Sequence, residues 1–183
     1  MKRESKTQYA LLGILTQCEM SGYEIKKFIE ESLGFFWNES FGQIYPTLKA
    51  LETDRLVSAT EIVSQENTKS KIVYKITKQG IVELKKWLEG STSKSTLRNE
   101  FLLKLFFARN IDSKKLMEMI NEEETRNLDD LKIFQSIKLN LNEEHKKHPD
   151  HRYWIFTLDY GIDCAKMTLK WLSKIKKEIS NLS

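Results

Sequence analysis

The chain has 183 residues, 40% hydrophobic and 31% charged, with only 7 Gly and 2 Pro and a formal net charge of +4. That length allows one large domain or two small ones, and scarce turn residues favour helix over sheet. Residues 1–90 carry 13 basic and 12 acidic side chains, and residues 91–183 carry 17 and 14, which excludes a strongly basic nucleic-acid module by count alone. Any nucleic-acid binding must come from charge gathered on one face. The start, MKRESKTQYALLGIL, has the charge-then-apolar order of a signal peptide, but its apolar stretch is short and interrupted and no small-residue cleavage site follows. No run approaches the roughly 20 apolar residues of a membrane span. The expected localisation is cytoplasmic. Cys18 and Cys164 each fall on the apolar stripe of an expected helix and give no disulfide framework, so they read as buried thiols, with a redox switch as the alternative.

In chain order, Leu11, Ile14, Leu15 and Cys18 predict a first helix over about 6–18. Ser21 and Glu24 form a capping box for a second helix carrying Ile25, Phe28, Ile29 and Leu33, which Gly34 should end. After the loop FFWNES, the stretch FGQIYPTLKALETDRLV (41–57) predicts a third helix with Ile44, Leu48 and Leu51 facing inward. Pro46 is expected in its first turn, where no backbone N–H is missed. Gln43, Tyr45, Thr47, Lys49 and Ala50 then face outward. The pattern changes to period two: residues 57–63 read as one strand, and Ile72, Tyr74 and Ile76 alternate with Val73 and Lys75 in another. SQENTKS (64–70) connects them, with Lys69 and Lys71 at the tip. Thr77 caps a fourth helix bearing Ile81, Leu84 and Leu88. Three helices followed by a hairpin make a winged helix-turn-helix, and the expected fold class is mainly α.

GSTSKS (90–95) is the low-hydrophobicity linker, giving an expected boundary between a DNA-binding domain at 1–90 and a helical dimerisation and effector domain at 91–183. Helices are expected at about 96–109, 112–142 and 152–181. In the last, Trp154, Leu158, Gly161, Ala165, Thr168, Leu172, Ile175, Ile179 and Leu182 follow a 4-3 repeat, read as a dimerisation seam.

Three faces carry candidate chemistry. Helix-turn-helix proteins lay such a third helix in the major groove, where Gln43 and Lys49 can bond base edges or phosphates and Tyr45 and Thr47 suit phosphates or thymine methyls. The DNA-binding set is Gln43, Tyr45, Pro46, Thr47, Lys49, Lys69 and Lys71; a merely solvated helix face is the alternative. Tyr153, Phe156, Tyr160, Met167 and Trp171 form an aromatic and sulfur stripe beside the seam, fit either to stack a flat ligand or to pack as core. His145, His148 and His151, with Asp150, could ligate a metal, but Pro149 puts them in a polar turn and no further ligand lies at a recognised spacing. No phosphate loop, nucleophile motif or cofactor signature occurs, so neither an enzyme nor a cofactor is expected.

The ordered set SGYEI (21–25), GQIYPTLKALE (42–52) and YKITKQG (74–80) resembles the PadR family of bacterial transcriptional regulators through most of residues 7–90. By length and pattern the C-terminal region is similar to the family's larger subgroup. The resemblance implies a homodimeric repressor of double-stranded DNA, released from a palindromic operator by a small, often aromatic molecule bound in or near the dimer interface. A winged-helix protein-interaction module without DNA affinity is the alternative. At one position the chain departs from the pattern: Arg55 stands where the family commonly has Gly, implying either another turn geometry or a strained residue after the third helix.

Overall fold

The computed structural model of the chain describes residues 6–63, 70–94 and 98–180. Contacts divide it into two compact units, Met1–Lys94 and Ser95–Ser183. Among the described residues no helix is long and apolar enough to cross a membrane.

The first unit runs α1 (Thr7–Ile14), α2 (Gly22–Phe28), α3 (Phe41–Thr53), β1 (Val57–Val63), β2 (Ser70–Ile76) and α4 (Lys78–Leu88). Its core joins Leu11 and Leu12 of α1, Ile25 of α2, Ile44, Leu48 and Leu51 of α3, Val57 and Tyr74 of the hairpin, and Leu84 of α4. Helix α3 buries the whole stripe that its spacing predicts, whereas α4 buries Leu84 and leaves Ile81 and Leu88 exposed. The hairpin is antiparallel, with Val57 opposite Ile76 and Ala59 opposite Tyr74. Met20 adds a short bridge to its free edge, exchanging both backbone hydrogen bonds with Tyr74 at 3.1 and 2.9 Å. Val73 and Tyr74 are both buried while Ile72 is exposed, so the expected alternation holds only in part.

Two caps fix the helix starts. Ser21 Oγ accepts from the Glu24 N–H at 3.3 Å while Glu24 Oε2 accepts from the Ser21 N–H at 2.8 Å. Thr77 Oγ1 accepts from the Gly80 N–H at 3.0 Å, and a Cβ on Gly80 would lie 2.2 Å from the Leu56 carbonyl oxygen. Only glycine lets α4 begin that close to the chain leaving α3.

Several local expectations are corrected. The first helix ends at Ile14, and Cys18 lies exposed beyond it rather than on a buried stripe. The second helix runs on from Phe28 as a π-helical turn, Ile29–Leu33, and Gly34 follows with φ −55°, so no left-handed cap forms. The third begins at Phe41, which puts Pro46 in its second turn; without an N–H, Pro46 cannot bond the Gly42 carbonyl. The expected strand connection lies outside the described residues save for Ser70, and Lys69 with it.

The second unit holds α5 (Glu100–Phe106), a 3-10 turn, α6 (Ser113–Glu144) and α7 (His151–Ser180). Asn99 caps α5, its Oδ1 accepting from the Leu102 N–H at 2.9 Å, which starts this helix later than expected. Helices α6 and α7 have 32 and 30 residues and form an antiparallel pair. Asn142 meets His151, Lys138 meets Asp159, and Glu124 meets Lys176. Phe101, Ile120 and Leu172 form the core of this unit, with Trp171, Ile175 and Ile179 packed against it.

Candidate nucleic-acid interface

Helix α3 buries Ile44 and Leu48 completely, which fixes its rotation and turns Gln43, Tyr45, Pro46 and Lys49 to solvent, with Thr47 half-buried. Two of these side chains have structural work as well. Gln43 Oε1 accepts from both the N–H and the hydroxyl of Ser40, at 3.0 and 2.9 Å, so it holds the start of α3. The Thr47 hydroxyl donates to the Gln43 carbonyl at 2.7 Å, leaving its methyl group and remaining lone pair for a partner.

Tyr45 stacks on Phe41 one turn earlier, with centroids 5.9 Å apart, and Phe41 stacks on Tyr23 of α2 at 6.4 Å. All three rings are exposed. A Cβ on Gly22 would lie 2.6 Å from Tyr45 Cε1, so the glycine of SGYE lets the Tyr45 ring lie against α2. Tyr23 and Phe41 are absent from the sequence-derived set, although the i, i+4 spacing of Phe41 and Tyr45 is the signal for such a pair.

At the hairpin, Lys71 Nζ lies 2.6 Å from Glu24 Oε1 and Lys75 Nζ 2.6 Å from Glu19 Oε1. The Lys71 ammonium, with the Ser21 backbone N–H, holds the Glu24 carboxyl down at about 2. Lys71 is thus an engaged cation, and a phosphate competes with Glu24 for its charge.

In the second unit the two sequence-derived sets divide differently. Leu172 has no exposed surface and Leu158 only 3%, because both pack within their own chain. They have almost no further area to lose to a partner, so within one chain they serve as core. Ile175 and Ile179 pack on the same internal cluster. Trp154 stacks on His148, with centroids 4.4 Å apart, and is half-buried there. Tyr153, Phe156, Tyr160 and Met167 are 62–69% exposed. Trp171 departs from that stripe and meets Phe101 edge to face at 6.1 Å. The histidines are engaged separately: His148 Nδ1 accepts from the Asp150 N–H at 3.2 Å, and His151 Nε2 lies 3.2 Å from Asn142 Oδ1. Among the described residues no group of three His, Cys, Asp or Glu could hold a metal ion.

Known proteins show the same two parts. Residues 11–86 match the transcriptional regulator PadR-like family, and residues 97–180 match the family described as virulence activator alpha C-term. The negative transcriptional regulator PadR of Bacillus subtilis is 27% identical over 173 residues, which cover 92% of this chain and 94% of that one. The crystal structure of Bacillus subtilis PadR in complex with operator DNA superposes with a TM-score of 0.84 at 27% identity, covering 96% of this chain and 99% of that chain. The same protein in complex with p-coumaric acid gives 0.75 at 26% identity, covering 98% and 99%. The winged-helix unit thus carries the match to the transcriptional regulator PadR-like family at residues 11–86, and the chain is similar over nearly its whole length to PadR of Bacillus subtilis.

Proposed function

We propose that this protein is a homodimeric repressor that binds a palindromic operator through α3 and the hairpin and leaves it when a small aromatic effector binds. The observation that carries this reading is the outward face of α3. Its inner residues are locked in the core, and Tyr45, Thr47 and Lys49 project in the way a major-groove helix requires. A relative similar over nearly the whole chain has been seen with operator DNA, which supports the same use here. Gln43, Pro46, Lys71 and Lys69 complete the proposed contact set, Gln43 by holding the helix start and the lysines as phosphate partners.

We assign residues 1–90 to DNA binding and 91–183 to dimerisation and effector response. The dimer forms through the exposed α7 face of Tyr153, Phe156, Tyr160 and Met167, since a row of exposed aromatic side chains on one helix marks an interaction surface. An aromatic effector stacks on those same rings at the interface, in keeping with the phenolic acid seen in the Bacillus subtilis relative. The protein acts in the cytoplasm as a regulator and not as a catalyst.

The test is to sequence the genomic fragments that the purified protein retains, with and without p-coumarate. An inverted repeat recovered only without the phenolic acid is the expected outcome. On that site Tyr45→Ala should lose about 1–3 kcal/mol, and much less on random DNA. Equal losses on both would demote Tyr45 to a backbone contact. Retention without sequence preference and without salt dependence would favour the protein-interaction module instead.

A further inference from the structure

Glu39 immediately precedes Ser40, the N-cap of α3, and is only 3% exposed. Its Oε1 accepts from the Trp37 indole N–H at 3.0 Å. Its Oε2 is sealed from solvent and has no hydrogen-bond partner among the described residues. No protein group among the described residues donates to that oxygen, and a donor placed there would satisfy it. Glu39 also lines an open cleft of about 390 Å³, together with Lys6, Thr7, Phe36, Trp37 and Gln43 among others. The nearby Lys6 ammonium is directed elsewhere, to Ser93 Oγ at 2.6 Å.

We propose that this cleft binds a small organic cation, a primary ammonium on a flat apolar body. The ammonium donates to Glu39 Oε2, and the body lies against Phe36 and Trp37, whose ring faces attract cations. With Oε1 already taken by the indole, a single oxygen is free. That favours an ammonium over a guanidinium, whose strength is bidentate pairing. Oε2 lies below the surface, so side chains lining the cleft must shift to admit the ammonium, and the cleft volume suits one ring with a short chain. An anion is rejected by the Glu39 carboxylate, so this site is distinct in place and in charge from the effector site proposed on α7 and does not depend on it.

The probe is 2-phenylethylammonium, titrated calorimetrically into the full chain beside the neutral 2-phenylethanol and the anionic 3-phenylpropionate. The expected result is saturable binding of the amine, at least ten-fold weaker binding of the alcohol and none of the acid. Glu39→Gln, which keeps an oxygen for the Trp37 indole, should weaken the amine at least ten-fold with an unchanged circular dichroism spectrum. Amine binding no tighter than the alcohol, or equal in Glu39→Gln, overturns the proposal. Should Glu39→Gln not fold, nuclear Overhauser contacts between the bound amine and the Trp37 indole in the unaltered protein decide. Their presence supports the site, and their absence refutes it.

Discussion

At the scale of single residues, the link between α3 and β1 stores strain in one place. Arg55 has φ +59°, the one positive value outside glycine among the described residues. It closes a Schellman turn: the Leu56 N–H reaches the Leu51 carbonyl at 2.8 Å and the Arg55 N–H reaches Glu52 at 3.0 Å. Of the two options that its sequence leaves, a different turn or strain in the usual one, the structure has the second. A left-handed conformation costs a non-glycine residue about 1–2 kcal/mol, against roughly 0.5–1 kcal/mol of extra chain entropy lost by glycine. Arg55→Gly should therefore stabilise the protein by about 0.5–1 kcal/mol in urea unfolding, and no gain would mean that the Arg55 side chain compensates the strain. Gly80→Ala is the opposite case. The Leu56 carbonyl at 2.2 Å is backbone and cannot move aside cheaply, so a loss of about 3 kcal/mol or more is expected in the same assay.

At the scale of elements, β1 and α4 are legible in the sequence because a period of two and a capping threonine are local signals. The Ser21–Glu24 box is legible for the same reason. Ser40 and Gln43 obey the same rule with Gln in place of Glu, and that signal places the start of α3 at Phe41 and Pro46 one turn deeper than its taste for first turns suggests. What local spacing does not reveal is the ion pair that joins α2 to the hairpin, Glu24 with Lys71, since its members are 47 positions apart. Glu24→Gln tests it cleanly, because Gln also serves a capping box. With Lys71 no longer held by Glu24, affinity at low salt should rise at the same salt slope; an unchanged affinity would place Lys71 away from DNA. The pH dependence carries a defined sign. The Glu24 carboxyl is held at about 2 against 4.5 in the ordinary state, so its contribution is full above about 4.5 and is lost as pH falls toward 2. The pair is more than a third exposed, and solvent screening limits the loss to about 1 kcal/mol or less. Urea midpoints at pH 6 and pH 3 should thus draw together in Glu24→Gln relative to the unaltered protein.

At the scale of the whole molecule, a heptad seam shows that a helix packs lengthwise but not against what. The 4-3 repeat on α7 is satisfied at Leu158, Leu172, Ile175 and Ile179 by packing within the second unit, beside an antiparallel α6. The Glu124–Lys176 and Lys138–Asp159 pairs cross between these two helices at separate points, fixing their register. Nothing in the α7 sequence distinguishes α6 of the same chain from α7 of another. The exposed Tyr153, Phe156, Tyr160 and Met167 are the surface we propose for a second copy, and the two sets should respond differently to substitution. Leu172→Ala opens a cavity in a fully buried site and should cost about 2–5 kcal/mol of folding stability without altering the mass of the folded species in light scattering. Phe156→Glu with Tyr160→Glu leaves the interior untouched but places four carboxylates in a twofold interface. The double variant should be a folded monomer with an unchanged helical spectrum. Its operator affinity should collapse toward that of a single half-site, since a monomer loses the gain from holding both half-sites at once. A double variant that remains a dimer would move the interface off this face of α7.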